Sequence, residues 1–210
     1  MAEGLRRHYH RLPFTHIVRA EDEERDAKAM YGMIHQALRD MAVRRIGDAE
    51  WSALLRDAGY TQPLFIGVEY YSDETTMSLV HLLAAHLDQP LDLVLEDFGR
   101  VWINFAGASE YGRILRMAGD DLVSFFSSLD RMHASIRSSM PRAEMPSFEL
   151  VAADDVMLQL RYRSKRKGLE PFVRGLLLAI TERFGESATI SYVCEDNGAL
   201  FIIRRTAAHA

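Results

Sequence analysis

The chain has 210 residues, 48% of them hydrophobic, and its 30 acidic and 25 basic side chains give a formal net charge of −5. This length fits one globular domain with a core large enough to enclose a cofactor, while the acidic balance argues against a protein that binds nucleic acid through its overall charge. No stretch is apolar for long enough to cross a bilayer, and the single cysteine, Cys194, excludes an internal disulfide framework and any CxxC-type metal site.

Residues 1–29 differ in composition from the rest and are predicted to form an extension or arm outside the core. A basic, arginine-rich run is followed there by an acidic one. The histidines of this segment, His8, His10 and His16, have no acidic or thiol residue at a fixed spacing, which favours a solvated arm over a metal site. The segment also lacks the apolar stretch of a secretory signal. We therefore expect a cytoplasmic protein whose main domain covers residues 30–205.

Helical periodicity dominates the chain from Met30 to about Met140. Apolar residues recur at spacings of three and four, which predicts six helices, over residues 30–43, 49–58, 75–88, 91–105, 111–117 and 120–136. Gly59 is placed to end the second helix, and we expect the fourth helix to be broken near Gly99. Three carboxylates, Glu69, Asp73 and Glu74, lie close together in sequence. We expect them to be solvent-exposed residues at the start of the third helix rather than a functional site.

After Met140 the hydrophobic period changes from helical to alternating. Strands are predicted over residues 147–151, 156–164, 188–194 and 199–204. A helix begins near Pro171 and ends at Gly185, and the run Asp196-Asn197-Gly198 is a strong hairpin signal. Helices first and strands later predict an α+β domain: an N-terminal helical subdomain followed by a C-terminal helix and an antiparallel sheet.

The second predicted strand ends in a row of polar side chains on its core-facing side. Alternation places Tyr162, Ser164 and Arg166 on the face that begins with Val156 and Leu158, whereas Arg163 lies on the opposite face. Burying an unpaired charge is costly, so a buried guanidinium needs an anion. Two hydroxyls beside it suit a carboxylate or a phosphate. The alternative is a strand that runs out into solvent with a hydrated Arg166.

His133 lies within the apolar stripe of the last helix before the strands. The stripe consists of Leu122, Phe125, Phe126, Leu129, Met132, His133 and Ile136. A neutral imidazole in that position can ligate a metal. The alternative is a core histidine whose ring nitrogens are hydrogen-bonded within the protein.

One cofactor would use both the imidazole and the polar row: haem, an apolar macrocycle with two carboxylates and an iron that takes an axial nitrogen. The residues that bear these features are similar to the haem-nitric-oxide/oxygen-binding (H-NOX) family, which includes the haem domain of soluble guanylate cyclase. The similarity runs in order from about Met30 to about Arg204. It is carried by Met30-Tyr31-Gly32, Leu129-Asp130-Arg131-Met132-His133, Pro146 and Tyr162-Arg163-Ser164-Lys165-Arg166-Lys167-Gly168-Leu169.

This resemblance implies a haem b held between the His133 helix and the N-terminal helices. His133 would be the protein ligand to the iron, and Pro146 would press on the macrocycle and distort it. The propionates would be held by the polar row, Tyr162, Ser164 and Arg166.

The resemblance also implies a choice of gas. Oxygen-holding relatives place a tyrosine hydroxyl in the distal pocket, and the matching position here is Pro171, which cannot donate a hydrogen bond. The other matching pocket positions are Leu38 and Trp102. We therefore expect a sensor of nitric oxide (NO) that also binds CO and excludes oxygen. NO would weaken or break the iron–His133 bond, and the helix movement would be passed to a partner such as a histidine kinase or a cyclic-di-GMP enzyme.

Three other functions stay open at this stage. The first is a haem-based oxygen sensor, and the second is a binding module of the same fold for another acidic, apolar ligand. The third is a small hydrolase that uses His133 with nearby carboxylates. The chain has no glycine-rich phosphate loop, nucleophile elbow or HExxH motif, so we expect it not to be an enzyme.

Overall fold

The structure is a computed structural model that describes residues 29–60, 65–66, 69–109, 112–139 and 144–206. The predicted N-terminal arm lies outside these residues, apart from its last residue, Ala29. The three histidines of the arm therefore also lie outside the described part of the chain.

The N-terminal half is helical apart from one short strand pair. Its elements are β1 (Ala29–Tyr31), α1 (Gly32–Ile46), α2 (Asp48–Asp57), β2 (Tyr70–Ser72), α3 (Asp73–Leu87), α4 (Leu91–Ala108), α5 (Gly112–Met117) and α6 (Leu122–Ser139). Local chemistry sets several of these boundaries. The Ser72 hydroxyl accepts the Thr75 N–H at 3.1 Å and caps α3, Gly59 follows α2 with a φ of +85°, and the Asp121 carboxylate accepts the Ser124 N–H at 2.8 Å at the start of α6.

The C-terminal half is a four-stranded antiparallel sheet with one helix packed on it. Its elements are β3 (Ser147–Ala153), β4 (Met157–Arg163), α7 (Glu170–Arg183), β5 (Ser187–Glu195) and β6 (Gly198–Thr206), with strand order β3-β4-β6-β5. The predicted α+β class is confirmed. Within the described residues, no helix is long and apolar enough to cross a membrane.

The predicted faces of β4 are confirmed, with one correction. Leu158 and Leu160 are fully buried and Tyr162 is 2% exposed, while Arg163 on the opposite face is exposed. Val156, which was expected on the buried face, is 64% exposed because it lies in the turn before the strand. Its N–H donates to the Asp154 carboxylate at 2.8 Å, so the strand begins one residue later.

Two hydrophobic clusters form the core, one in each half. The N-terminal cluster is built mainly from α1, α2, α3 and the first part of α4, and the C-terminal cluster from α6, α7 and the sheet. Trp102 on α4 packs against both clusters. The halves therefore meet where α4 lies along α7.

The helix α4 is continuous, so the expected break near Gly99 is wrong. Gly99 serves close packing instead: a Cβ atom there would overlap the carbonyl oxygen of Phe172 on α7. Gly175 on α7 makes the reciprocal approach, because its Cβ would overlap the carbonyl oxygen of Glu96. The two helix backbones touch at these glycines, and the Arg174–Glu96 ion pair (2.5 Å) lies at the same contact.

This contact predicts a large cost for adding one methyl group. Gly99→Ala or Gly175→Ala should lower stability by about 1–3 kcal/mol, because backbone rather than a flexible side chain stands in the way. For a chain of this length that is a fall in Tm of roughly 2–4 °C per kcal/mol. Gly107→Ala, also in α4, is the matched control, because its Cβ would meet only the end of the Arg183 side chain at 3.3 Å. Thermal denaturation in which all three variants behave alike would contradict the close contact.

Candidate functional site

A cavity of about 230 Å³ lies between the two clusters. A single water needs only about 10–15 Å³ on the same measure, so this space is large enough for a prosthetic group. Side chains from α1, α3, α4, α5, α6 and α7 line it, together with residues of β3 and β4 and of the segments next to these strands. Most of the lining is apolar, and the main polar side chains are Thr76, His133, Glu144, Tyr162, Ser164 and Arg166.

Arg166 is held at this polar end by protein groups from both halves. Its Nε donates to Asp73 Oδ2 at 2.7 Å and its Nη1 to the carbonyl oxygen of Glu144 at 2.6 Å. The Ser164 hydroxyl accepts the Arg166 backbone N–H at 3.0 Å. The side chains of Arg166 and Asp73 are only 11% and 20% exposed. A buried guanidinium with a carboxylate partner is what the core-facing row required, so the alternative of a hydrated Arg166 is wrong.

The sequence did not identify Asp73 as part of the site. Its expected role as a solvated helix start is corrected, because the carboxylate is mostly buried against Arg166. The two residues are 93 positions apart, and no local pattern connects them. Only the packing of α3 against the end of β4 brings them together.

Tyr162 presents a buried phenol to the cavity. Its ring packs against those of Phe148, at a centroid distance of 5.3 Å, and Phe201, at 6.3 Å. Burial raises the pKa of Tyr162, and a hydrogen bond with Ser164 and the charge of Arg166 offset only part of that effect. The hydroxyl therefore keeps its proton at neutral pH and remains a hydrogen-bond donor.

His133 lines the cavity from α6, and its neighbours fix the position of the helix. Its ring lies 5.6 Å from the ring of Phe148. One turn earlier, Asp130 Oδ1 accepts the backbone N–H of Phe148 at 2.7 Å, and Asp130 Oδ2 accepts the Ser147 hydroxyl at 3.3 Å. The helix that carries the imidazole is thus fastened to the start of β3, directly after Pro146, which also lines the cavity.

The residues expected in the distal pocket are only partly in the lining. Trp102 lines the cavity, but Leu38 and Pro171 do not. Leu38 is fully buried in the N-terminal cluster, and α1 faces the cavity with Ile34 one turn earlier. On α7 the lining begins at Phe172, one position after Pro171, and continues with Val173, Leu176, Leu177 and Ile180. A shift of one residue turns a helical side chain by about 100°, so Pro171 and Phe172 point in different directions from the helix.

The side chains at this cavity fit a haem. His133 brings an imidazole, a common metal ligand, to the lining. The hydroxyls of Tyr162 and Ser164 and the guanidinium of Arg166 also line the cavity, and these are groups that hydrogen-bond carboxylates. The remaining surface is apolar, as a macrocycle requires. Within the described residues there is no cluster of three or more His, Cys, Asp or Glu that could hold a bare metal ion. These side chains therefore suit an iron that is already coordinated by a porphyrin.

Comparison with known proteins gives the same family as the motifs. A sequence model of the haem-NO-binding family matches residues 31–192. The soluble guanylate cyclase gcy-35 of Caenorhabditis elegans is 29% identical over 173 residues, which are 79% of this chain and 25% of that protein. The soluble guanylate cyclase 89Db of Drosophila melanogaster is 24% identical over 166 residues, again 79% of this chain and 25% of that protein. The chain spans about a quarter of the length of these relatives.

Solved structures share the fold. An H-NOX protein from S. oneidensis in the Fe(II)NO ligation state superposes with a TM-score of 0.75 at 23% identity, covering 84% of this chain and 99% of that one. An Fe(II) unliganded H-NOX protein from K. algicida gives a TM-score of 0.75 at 22% identity, covering 86% and 99%. The predicted fold is confirmed by these structures, and the predicted haem cofactor is confirmed by the family match together with them.

The geometry at the end of β4 predicts different effects for Arg163, the last residue of the strand, and Arg166, three residues later. Arg166→Ala should weaken haem binding by about 1.5–3 kcal/mol, roughly 10–150-fold, because a buried charge-assisted donor is lost. Arg163→Ala should leave haem binding unchanged, because Arg163 is exposed on the outer face and pairs with Glu149 at 3.2 Å. The measurement is the rate of haem transfer to an excess of a haem-scavenging apoprotein. Equal transfer rates for the two variants would contradict this assignment of faces.

Proposed function

The chain belongs to the haem-NO-binding family, and from this premise we propose that it is a haem-based sensor of nitric oxide. Domains of this family bind haem and sense gases, and they are not themselves catalytic. The proposal rests on one observation above the others: the imidazole of His133 and the ring of Phe172 line the same apolar cavity. The first provides an axial nitrogen, and the second offers no proton to a bound gas.

We propose that His133 is the sole protein ligand to the iron and that Tyr162, Ser164 and Arg166 hold the propionates. Ferrous haem supplies the coordination site at which a diatomic gas binds. The protein orients the group through the polar end of the cavity and excludes water from its apolar part. Pro146, directly before β3, is proposed to press on the macrocycle.

The distal lining supports selection of NO over oxygen. Oxygen bound to haem is polar, and a hydrogen-bond donor stabilises the complex, whereas NO binds ferrous haem tightly without such a donor. Phe172 shares the cavity lining with other apolar side chains, among them Ile103, Leu176 and Leu177. The Thr76 hydroxyl is engaged with His35 Nε2 at 2.9 Å. No tyrosine hydroxyl is supplied by α7, whose sequence contains no tyrosine.

Trp102 is the observation that favours the alternative, an oxygen sensor. Its indole N–H is a possible donor, because the residue lines the cavity. Its ring is stacked on that of Phe105, with centroids 6.0 Å apart, and it packs against both hydrophobic clusters. These contacts explain Trp102 as a packing residue without a role as a hydrogen-bond donor to oxygen. We therefore propose an NO sensor rather than an oxygen sensor.

The signal is proposed to leave through α6. Because Asp130 fastens this helix to β3, a displacement of His133 moves both elements together. A protein partner that contacts them would detect the change, since a ligand biases only those states that it binds differently. A histidine kinase or a cyclic-di-GMP enzyme as partner, the absence of catalytic activity in the protein, and its cytoplasmic location remain predictions.

Removal of the imidazole tests the ligand assignment. His133→Gly should lose haem, or take it up only with added imidazole, because the imidazole is the side-chain nitrogen that α6 brings to the cavity lining. Ser135→Gly is the matched control: it places the same flexible residue on the exposed face of the same helix and should keep haem. The readouts are haem content and the Soret spectrum of the purified variants. Wild-type values for His133→Gly would remove His133 from the proposal.

Exposure to three gases tests the selectivity. The ferrous protein should bind NO and CO and should form no stable oxygen complex in air, because the α7 side chains in the lining, from Phe172 to Ile180, have no hydrogen-bond donor. Visible spectra under each gas make the measurement, and the Soret position under NO also reports whether His133 stays bound. A long-lived oxygen spectrum would favour the alternative sensor. Retention of His133 under NO would leave the sensor function but exclude release of the imidazole as its trigger.

Adding a hydrogen-bond donor at Phe172 also tests the selectivity for NO over oxygen. Phe172→Tyr should lengthen the life of an oxygen complex by up to about tenfold, the value of one hydrogen bond of about 0.5–1.5 kcal/mol. Phe105→Tyr is the control, because it makes the same chemical change outside the cavity lining. The same lifetime of the oxygen complex in both variants, whether lengthened or unchanged, would contradict the proposal that the side chain at position 172 determines the selectivity for NO over oxygen.

A further inference from the structure

Two carboxylates flank Arg166 at the polar end of the cavity, and each has one buried oxygen without a donor among the described residues. Asp73 Oδ2 accepts from Arg166 Nε at 2.7 Å, and Glu144 Oε1 accepts from Lys165 Nζ at 2.9 Å. The second oxygens, Asp73 Oδ1 and Glu144 Oε2, are buried and accept no hydrogen bond from this part of the chain. A buried acceptor without a donor costs free energy, so each such atom requires an explanation.

Haem would add negative charge at this end of the cavity. With the propionates placed at Arg166, as the proposed function has it, they would join Asp73 and Glu144, so four carboxylates would lie near Arg166 and Lys165, the two cations that pair with these carboxylates among the described residues. Like charges in one site disfavour one another, which favours the uptake of a proton by one of the carboxylates. Among the described residues, the titratable and charged groups around this end of the cavity are Asp73 from α3, His133 from α6, Tyr162 from β4, Glu144, Lys165 and Arg166 from the adjoining segments, and Glu170 at the start of α7, whose charge acts on Tyr162.

Glu144 is the carboxylate best placed to accept that proton. Asp73 is committed to Arg166 in an ion pair whose two side chains are 11% and 20% exposed. Glu144 is paired with Lys165, whose side chain is 77% exposed, and a solvated ammonium contributes little to such a pair. Tyr162 is already neutral, because burial raises its pKa.

We propose that Glu144 takes up one proton from solvent when haem binds and that its carboxyl group then donates a hydrogen bond to a haem propionate. The buried Oε2 becomes the protonated oxygen, and the propionate supplies the acceptor. No other bond forms or breaks. The inference rests on the proposed placement of the propionates at Arg166. It makes Glu144 a haem-positioning residue that lies outside the row at the end of β4.

The test is the pH dependence of haem affinity in wild type and in Glu144→Gln. Because the wild-type complex holds one proton more than its separated parts, affinity falls as pH rises, by at most about tenfold per pH unit. The amide introduced by Glu144→Gln would donate the same hydrogen bond without taking up a proton. The ratio of the Glu144→Gln affinity to the wild-type affinity should therefore rise with pH, with the same limiting slope. Mixing in weak buffer with a pH indicator should show about one proton more taken up by wild type.

Two further variants keep the result interpretable. Glu149→Gln is the matched control, because Glu149 pairs with Arg161 and Arg163 on the outer face of the sheet; its pH curve should follow that of wild type. Glu144→Ala removes both the proton and the donor, so its pH curve should be as flat as that of Glu144→Gln, and its affinity should be lower than that of Glu144→Gln at every pH. Parallel pH curves for wild type and Glu144→Gln, with equal proton uptake, would overturn the inference.

The proposed placement of the propionates at Arg166 is tested separately by Arg166→Ala. Unchanged haem affinity in that variant would mean that the propionates lie elsewhere. That result would overturn both the proposed role of Arg166 and the inference on Glu144. Weakened affinity in Arg166→Ala, combined with parallel curves for wild type and Glu144→Gln, would overturn only the role of Glu144.

Discussion

The ion pair between Arg166 and Asp73 is the constraint on which the site depends. The row on β4 carries a guanidinium to the edge of the core, where an unpaired charge would cost several kcal/mol. The carboxylate that meets it comes from the first residue of α3, in the other half of the molecule. The position of α3 is thereby tied to the end of β4, and the polar end of the cavity is formed by both halves.

A second contact between the halves lies where α4 crosses α7. Gly99 and Gly175 let the two backbones touch there, and Trp102 packs against both clusters. The cavity occupies the space between this crossing and the Arg166 end. A prosthetic group that fills it would make a third connection between the halves, so in the proposed sensor a change in its shape or ligation would act on both halves.

The parts of the fold that follow from local pattern were accessible from the sequence. Strand alternation predicted the buried face of β4, the Asp196-Asn197-Gly198 run predicted the last hairpin, and the apolar stripe placed His133 toward the core. The features that failed depend on tertiary contacts. Gly99 resembles a helix breaker until α7 is packed against it, and Asp73 resembles a solvated cap until β4 ends beside it. Which α7 side chains line the cavity also depends on how that helix is packed, and the lining contains Phe172 but not Pro171.

Two aromatic contacts connect the two ends of the proposed site. The His133 ring packs on Phe148, and Phe148 packs on Tyr162, with centroids 5.6 Å and 5.3 Å apart. Phe148 and Tyr162 also face each other across β3 and β4, and Asp130 holds the Phe148 N–H from α6. Close packing of this kind transmits a displacement instead of absorbing it. In the proposed sensor, a shift of His133 therefore reaches the Tyr162 donor at the propionate end, so gas binding and haem retention are coupled through the same three side chains.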